Sequence, residues 1–253
     1  AARELRATPR VIVPTHVQVR AWCSRWAEPG GTIGVRVMTF DGLYAECLNA
    51  AGEAYTELSE PVQYRLIRSV VDGLALAHYA PLVTRPGFIQ ILQRLIGELK
   101  AARIHPDDFA PAVDGMGGEP RLRELALVYA AYQERLQAQG WADRAGLGWL
   151  AVEALEKRAP HVACDWSLLV VDGFDNFTSV QLALLKVLAS RAGKMIVTLT
   201  GTTDDRERPL VHRRFDETRR KLEARLGVQA TPLPQQAPHQ VPALAHLEEA
   251  LYR

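Results

Sequence analysis

The sequence predicts an α/β protein in which a parallel sheet is interrupted by an all-helical insertion. Three observations lead there. Short β-branched or fully apolar runs occur at residues 11–13, 33–40, 167–171 and 195–199, the composition of strands covered on both faces. Helical spacing fills the gaps, with Val19, Trp22, Cys23 and Trp26 after the first run, Leu43, Tyr44, Cys47 and Leu48 after the second, and Leu182, Leu185 and Leu188 between the last two. This alternation is the βαβ signature. From about residue 55 to 163, by contrast, apolar residues recur at helical spacing alone.

Each element has its punctuation. Pro14 stops the first strand, Pro29-Gly30-Gly31 ends the helix after it, and Asp41 is placed to cap the next. In the insertion, Val62, Leu66, Val70, Leu74 and His78 mark one helix, and Phe88, Leu92, Ile96 and Leu99 a second. Leu122, Leu125, Val128, Tyr129, Tyr132 and Leu136 mark a third, and residues 143–158 a fourth. Pro81, Pro86, Pro106, Pro111 and Gly115-Met116-Gly117-Gly118 read as the breaks between them. After the sheet resumes come a charged helix at 213–226, a Pro/Gln-rich stretch at 232–242 and a last helix. The expected division is a discontinuous α/β core at 1–54 and 164–230, a helical insertion at 55–163, and a linker with the start of a further helical region at 231–253. The first residue is Ala1 and the last pattern stops at Arg253 as it becomes established, which reads as a piece cut from a longer chain.

With 253 residues, 48% of them hydrophobic, the chain can bury a sizeable core. Thirty Lys and Arg face 29 Asp and Glu, so no global charge favours nucleic acid and any DNA contact must be local. Cys23, Cys47 and Cys164 have neither metal-ligand spacing nor the density of a disulfide framework, and they read as small buried hydrophobes in a reducing, cytoplasmic compartment. No apolar run is long enough to span a bilayer, so no membrane partner is expected.

In parallel sheets, ligands bind beyond the carboxyl ends of strands. Thr15, Thr39 with Asp41, and Asp172 with Asp175 occupy such positions. An Asp closing an apolar strand can hold Mg²⁺ beside a nucleotide, or it can tie down the following turn. No G-x-x-x-x-G-K-[ST] loop occurs to cradle phosphates. Residues 206–225 carry eight basic and four acidic side chains. Arg213, Glu217 and Lys221 have ion-pair spacing, which leaves Arg206, Arg208, Arg214, Arg219 and Arg220 for phosphate contact or solvent. Trp22 and Trp26 fall on a core stripe and are expected to pack, as are Trp141, Trp149 and Trp166. His16 and His161 have no carboxylate or second histidine at ligand spacing, and no Ser-His-Asp arrangement is indicated.

The motifs resemble a family. Val11-Ile12-Val13-Pro14-Thr15, with Arg20 on the helix behind it, resembles helicase motif Ia, and Val37-Met38-Thr39-Phe40-Asp41-Gly42-Leu43 resembles the T-F-h-s-L segment of superfamily 1. The run 170–177, Val-Val-Asp-Gly-Phe-Asp-Asn-Phe, is similar to the D-G-F-x-x-F form of the B subunit of AddAB-type ATP-dependent helicase/nucleases. Residues 88–100 and 103–109 resemble the same family. The resemblance implies a P-loop-NTPase-like sheet (domain 1A) with a helical domain 1B, in a subunit that processes broken DNA ends for recombinational repair beside a motor helicase/nuclease. It places Thr15 and Thr39 beside single-stranded DNA and Asp172 on the motif II metal ligand, while Gly173 stands where active helicases carry the catalytic Glu. It puts the phosphate loop, with ATP and Mg, upstream of Ala1. The PD-(D/E)XK nuclease with its iron–sulfur cluster is put near the far end of such proteins, so neither metal nor cofactor is expected among these residues. Three readings stay open: a non-catalytic DNA-binding scaffold, a structural docking module for the motor subunit, and an ATPase completed by an upstream loop.

Overall fold

The computed structural model describes residues 8–28, 31, 33–200 and 209–233, with backbone alone at 209–212 and 214. The chain divides into two compact units, one made of Ala1–Val37, Trp166–Phe177 and Ala192–Arg253, the other of Met38–Asp165 and Thr178–Arg191.

The first unit is built on strands β1 (Arg10–Ile12), β2 (Arg36–Met38), β5 (Leu169–Val171) and β6 (Met195–Val197), in the order β2-β1-β5-β6. β5 runs parallel to both of its neighbours, with Ile12 opposite Val171 and Val171 opposite Val197. That register ends the three strands at one level. Ile12, Leu169 and Val171 are fully buried, as central strands covered on both faces require, whereas the outer strands β2 and β6, expected to be covered likewise, are partly exposed. Arg10 is buried too, its guanidinium donating to the Thr8 carbonyl at 2.9 Å and lying 5.1 Å from the Trp166 ring centroid. Helices α1 (His16–Ala27) and α9 (Pro209–Leu226) complete the described part of this unit. The sequence puts Trp22 and Trp26 on a core stripe, yet α1 buries none of its residues. Its least exposed positions, Gln18, Val19, Trp22 and Trp26, lie along one stripe and are only half-buried, because no other described element of its unit packs broadly on the helix. For the same reason Cys23 is exposed, as is Cys164, and of the three cysteines Cys47 alone is a buried hydrophobe.

The second unit holds α2 (Phe40–Ala51), α3 (Glu60–Gly73), α4 (Pro86–Ala101), α5 (Pro106–Gly115), α6 (Pro120–Gln139), α7 (Arg144–Lys157) and α8 (Ser179–Ala189). It also contains a parallel pair of two-residue strands, β3 (Thr56–Glu57) and β4 (Trp141–Ala142), so the insertion is not wholly helical. The sequence reads 106–115 as a break because of its prolines, whereas Pro106 starts α5. There the missing N–H costs nothing and the fixed φ suits the first turn. Asp41 is not the cap of α2: Thr39 is the N-cap, and Asp41 lies in the first turn with its carboxylate 2.9 Å from Arg144 Nε. At Gly148 on α7, a Cβ would lie 2.6 Å from Val180 and 3.1 Å from the Tyr44 ring, so only glycine lets these helices approach.

A buried polar cluster ties the helices together. The Asp143 carboxylate accepts from Lys100 Nζ and the Tyr132 hydroxyl, both at 2.7 Å, and its other oxygen accepts from the Gly146 amide at 2.6 Å, capping α7. Lys100 and Asp143 are each about 1% exposed at the side chain. Burial pushes the Lys100 ammonium below the ordinary lysine range, and the charge and hydrogen bond of Asp143 pull against it. The Trp149 indole donates to the Lys100 carbonyl at 2.6 Å. A second carboxylate, Glu124 on α6, accepts from the amides of Ala77, His78 and Tyr79 at 2.8, 2.6 and 3.0 Å. Burial raises its pKa, but the three amides outweigh that and hold it below the ordinary glutamate range.

Removing one partner of a buried pair leaves an uncompensated charge, so Lys100→Met is expected to destabilise the chain by about 3–5 kcal/mol in denaturant unfolding, with Asp143→Asn on top of it recovering part of the loss. The Glu124 clamp has a depressed folded pKa, so its stabilisation is complete above the unfolded-chain value and disappears as pH falls through the folded one. The hydrogen-exchange protection factors of the amides of residues 77–79, taken relative to the intrinsic rate at each pH, are expected to fall selectively on acidification, and Glu124→Gln is expected to abolish that pH dependence.

Candidate functional site

The common level at which β1, β5 and β6 end sets the site. Asp172 follows β5 and donates its amide to the Ile12 carbonyl at 2.9 Å; Thr198 follows β6 and donates its amide to the Val171 carbonyl at 2.9 Å. These two ladder bonds bring the side chains of residues 172 and 198 together, and the Thr198 hydroxyl donates to Asp172 Oδ1. The carboxylate is half-buried. Gly173 follows with φ +80°, a conformation costly for any residue with a Cβ. A Cβ there would also stand 3.3 Å from Gln18 Nε2 and 3.6 Å from Pro14 Cδ. Phe174 is buried and stacks on Phe177 at 5.2 Å, and the Asp175 carbonyl accepts from the Thr218 hydroxyl of α9 at 2.8 Å.

Thr15 opens α1 through a capping box. Its hydroxyl accepts from the Gln18 amide at 3.2 Å, and Gln18 Oε1 accepts from the Thr15 amide at 3.1 Å. Gln18 therefore reaches from the cap of α1 toward Gly173, and strand-end rules alone do not single it out. The T-x-x-Q spacing is the signal that would have found it. Thr198 is a second residue of this strand-end cluster that the sequence reasoning misses, although it stands after a strand just as Asp172 does.

The other sequence-derived candidates scatter. Arg20 is exposed on α1. Thr39 belongs to the second unit, where it is 8% exposed and its hydroxyl has no hydrogen-bond partner among the described residues. Asp175 is exposed and contributes its backbone, as above. Arg219 is engaged in ion pairs with Asp216 at 3.6 Å and Glu223 at 3.4 Å, because i, i+3 and i, i+4 neighbours on α9 are acidic. Arg220 is exposed. Arg206 and Arg208 lie outside the described residues, as does the side chain of Arg214. His161 is hydrogen-bonded to the Ala50 carbonyl at 3.2 Å, and Trp149 and Trp166 are buried.

The second unit has a cleft of about 480 Å³, lined in part by Asp41, Gln63, Gln93, Arg144 and Gln181. Much of this lining is already committed: Gln93 donates to Gln63 at 2.7 Å, Arg144 pairs with Asp41, and Gln181 completes the capping box of α8. Among the described residues, no group of three or more His, Cys, Asp or Glu could hold a metal ion, and no helix is long and apolar enough to cross a membrane.

The family described as "ADDB, N-terminal" matches residues 7–248. The B subunit of the ATP-dependent helicase/deoxyribonuclease of Moorella thermoacetica is 32% identical over 229 residues, covering 84% of this chain and 19% of the relative. Proteins of the same name from Thermoanaerobacter sp. (strain X514) and Symbiobacterium thermophilum are 28% and 27% identical over 176 and 182 residues, or 68% and 67% of this chain. The chain spans only 14–19% of the length of these curated relatives.

The Asp172–Thr198 hydrogen bond links the ends of two neighbouring strands. Thr198→Val is expected to lower stability by roughly 1.5–3 kcal/mol, the worth of a hydrogen bond to a charged group. Thr198→Ser should keep most of it, with both read from denaturant midpoints.

Proposed function

Because the chain belongs to the ADDB N-terminal family, we propose that it is the helicase-like, DNA-handling part of an ATP-dependent helicase/nuclease subunit, and that it hydrolyses no ATP itself. On this reading residues 1–54 and 164–230 correspond to superfamily 1 domain 1A and residues 55–163 to domain 1B. The parent subunit works in the cytoplasm on broken DNA ends beside a motor helicase/nuclease, and this piece is its DNA-binding and subunit scaffold.

One observation carries the reading, the conformation of Asp172-Gly173. In phosphoryl-transfer sites a motif II Asp holds Mg²⁺ and a water-positioning group orients the nucleophile. Here Asp172 accepts the Thr198 hydroxyl, and the next residue has no side chain. Its φ of +80° and the Gln18 amide 3.3 Å from any Cβ oppose a glutamate there. A lone strand-end carboxylate of this kind does not by itself fit a magnesium nucleotide, whose phosphates also need a loop of backbone N–H donors and a lysine. Phosphate contacts from Thr15, Arg20 and Arg220, joined by Arg206, Arg208 and Arg214, would give DNA affinity without sequence readout.

In the full-length protein, labelled single-stranded DNA is expected to bind at low salt and to weaken as salt rises. Asp172→Ala is expected to leave ATP turnover of the assembled helicase/nuclease unchanged. Absence of binding at low salt would remove the DNA role, and loss of turnover in the variant would overturn the non-catalytic assignment.

A further inference from the structure

We propose that the face of α1 formed by Gln18, Trp22, Arg25 and Trp26 is a stacking track for single-stranded nucleic acid, leading away from the strand-end site. This rests on the DNA-handling reading above and adds a surface to it.

The helix is unusual for one that follows a buried strand. None of its twelve residues is buried, and no other described element of its unit packs broadly against it. Its two tryptophans are half-buried and lie edge to face, 5.0 Å between ring centroids at 63°, and the Arg25 guanidinium sits 5.7 Å from the Trp22 centroid. Gln18, Trp22 and Trp26 follow at i, i+4 and i+8, and Arg25, three residues beyond Trp22, lies alongside, so all four share one face. Arg20 falls on the opposite face at 100° per residue and is not part of the track. From His16 to Ala27 there is no acidic residue.

That face suits one kind of occupant. A helix seam wants aliphatic residues at i, i+3 and i+4, and this stripe reads Gln, Trp, Arg, Trp instead. Aromatic rings beside a cation match bases and phosphate. The two rings themselves stand 5.0 Å apart. Bases stacked in a duplex repeat at about 3.4 Å, so the spacing fits an extended, unstacked strand. Gln18 marks the near end of the track, held by the capping box with its Nε2 beside Gly173.

The test titrates labelled oligo(dT) against the full-length protein across a salt series. Trp22→Ala/Trp26→Ala is expected to weaken binding about tenfold or more without altering the slope of log K against log salt, while Trp22→Phe/Trp26→Phe keeps most of it. Arg25→Gln is expected to flatten the slope by about 0.7, the loss of one phosphate contact on a single strand. Unchanged affinity in the alanine variant, with the wild-type protein binding, overturns the track alone; a wild-type protein that does not bind overturns the DNA-handling reading instead. If the alanine variant releases the motor subunit while DNA affinity holds, the face is a protein interface and the proposal fails. Should that variant lose its fold, photocrosslinking of an iodouracil oligonucleotide to the wild-type protein decides. Adducts at Trp22 or Trp26 support the track, and their absence at both overturns it.

Discussion

The helical unit depends on the placement of one carboxylate. Asp143 accepts from a lysine on α4, a tyrosine on α6 and the first turn of its own helix α7. At about 1% exposure it is out of reach of bulk solvent, so each of those donors is a constraint on where a helix can lie. The next residue, Arg144, points the other way and pairs with Asp41 on α2. Two adjacent residues thus fix α7 from inside and outside, and the close approach at Gly148 becomes possible because α7 has little freedom left to slide. The polar cleft nearby borders this same arrangement, since Gln63 donates weakly to Asp143 while receiving from Gln93.

The strand-end site follows a different logic, in which the sheet register does the positioning. Parallel pairing of Ile12, Val171 and Val197 delivers a threonine and an aspartate side by side, with a helix cap on the adjoining strand. Here the polar groups answer one another: Thr198 binds Asp172, Gln18 binds Thr15, and Thr218 binds the Asp175 backbone. The side chains at this edge are thus tied to one another and to the backbone.

Much of this is legible in the sequence, for physical reasons. Strands β1 and β5 and the stripes of α4 and α6 announce themselves through the period of their apolar residues, and Thr15 and Asp172 through their places after strands; the stripe read from Val62 to His78 does not hold, because α3 ends at Gly73 and buries Ile67, Val70 and Val71 while Val62 is exposed. Other features leave no such trace. Pro106 and Pro111 look like punctuation although one of them initiates α5. Lys100, at the end of α4, looks like a surface cation answering a helix dipole, and its partner lies 43 residues away. Trp22 and Trp26 have helical spacing, but spacing does not reveal whether anything lies against them. Arg219 can be assigned to an ion pair only once its neighbours on α9 are counted on the same face. In each case the missing information is a distant partner or the lack of one, which a local pattern cannot carry.

The left-handed turn at Gly173 has a consequence for descent. A residue with a side chain at this position would be strained by the φ of +80° itself, and its Cβ would also crowd Gln18 Nε2 at 3.3 Å. The chain would first need a different turn between β5 and Phe174, and that turn is braced by the buried stack of Phe174 on Phe177. Such a site behaves as a ratchet: with the backbone settled around glycine, a side chain at this position calls for a second change in the turn before it can be accommodated.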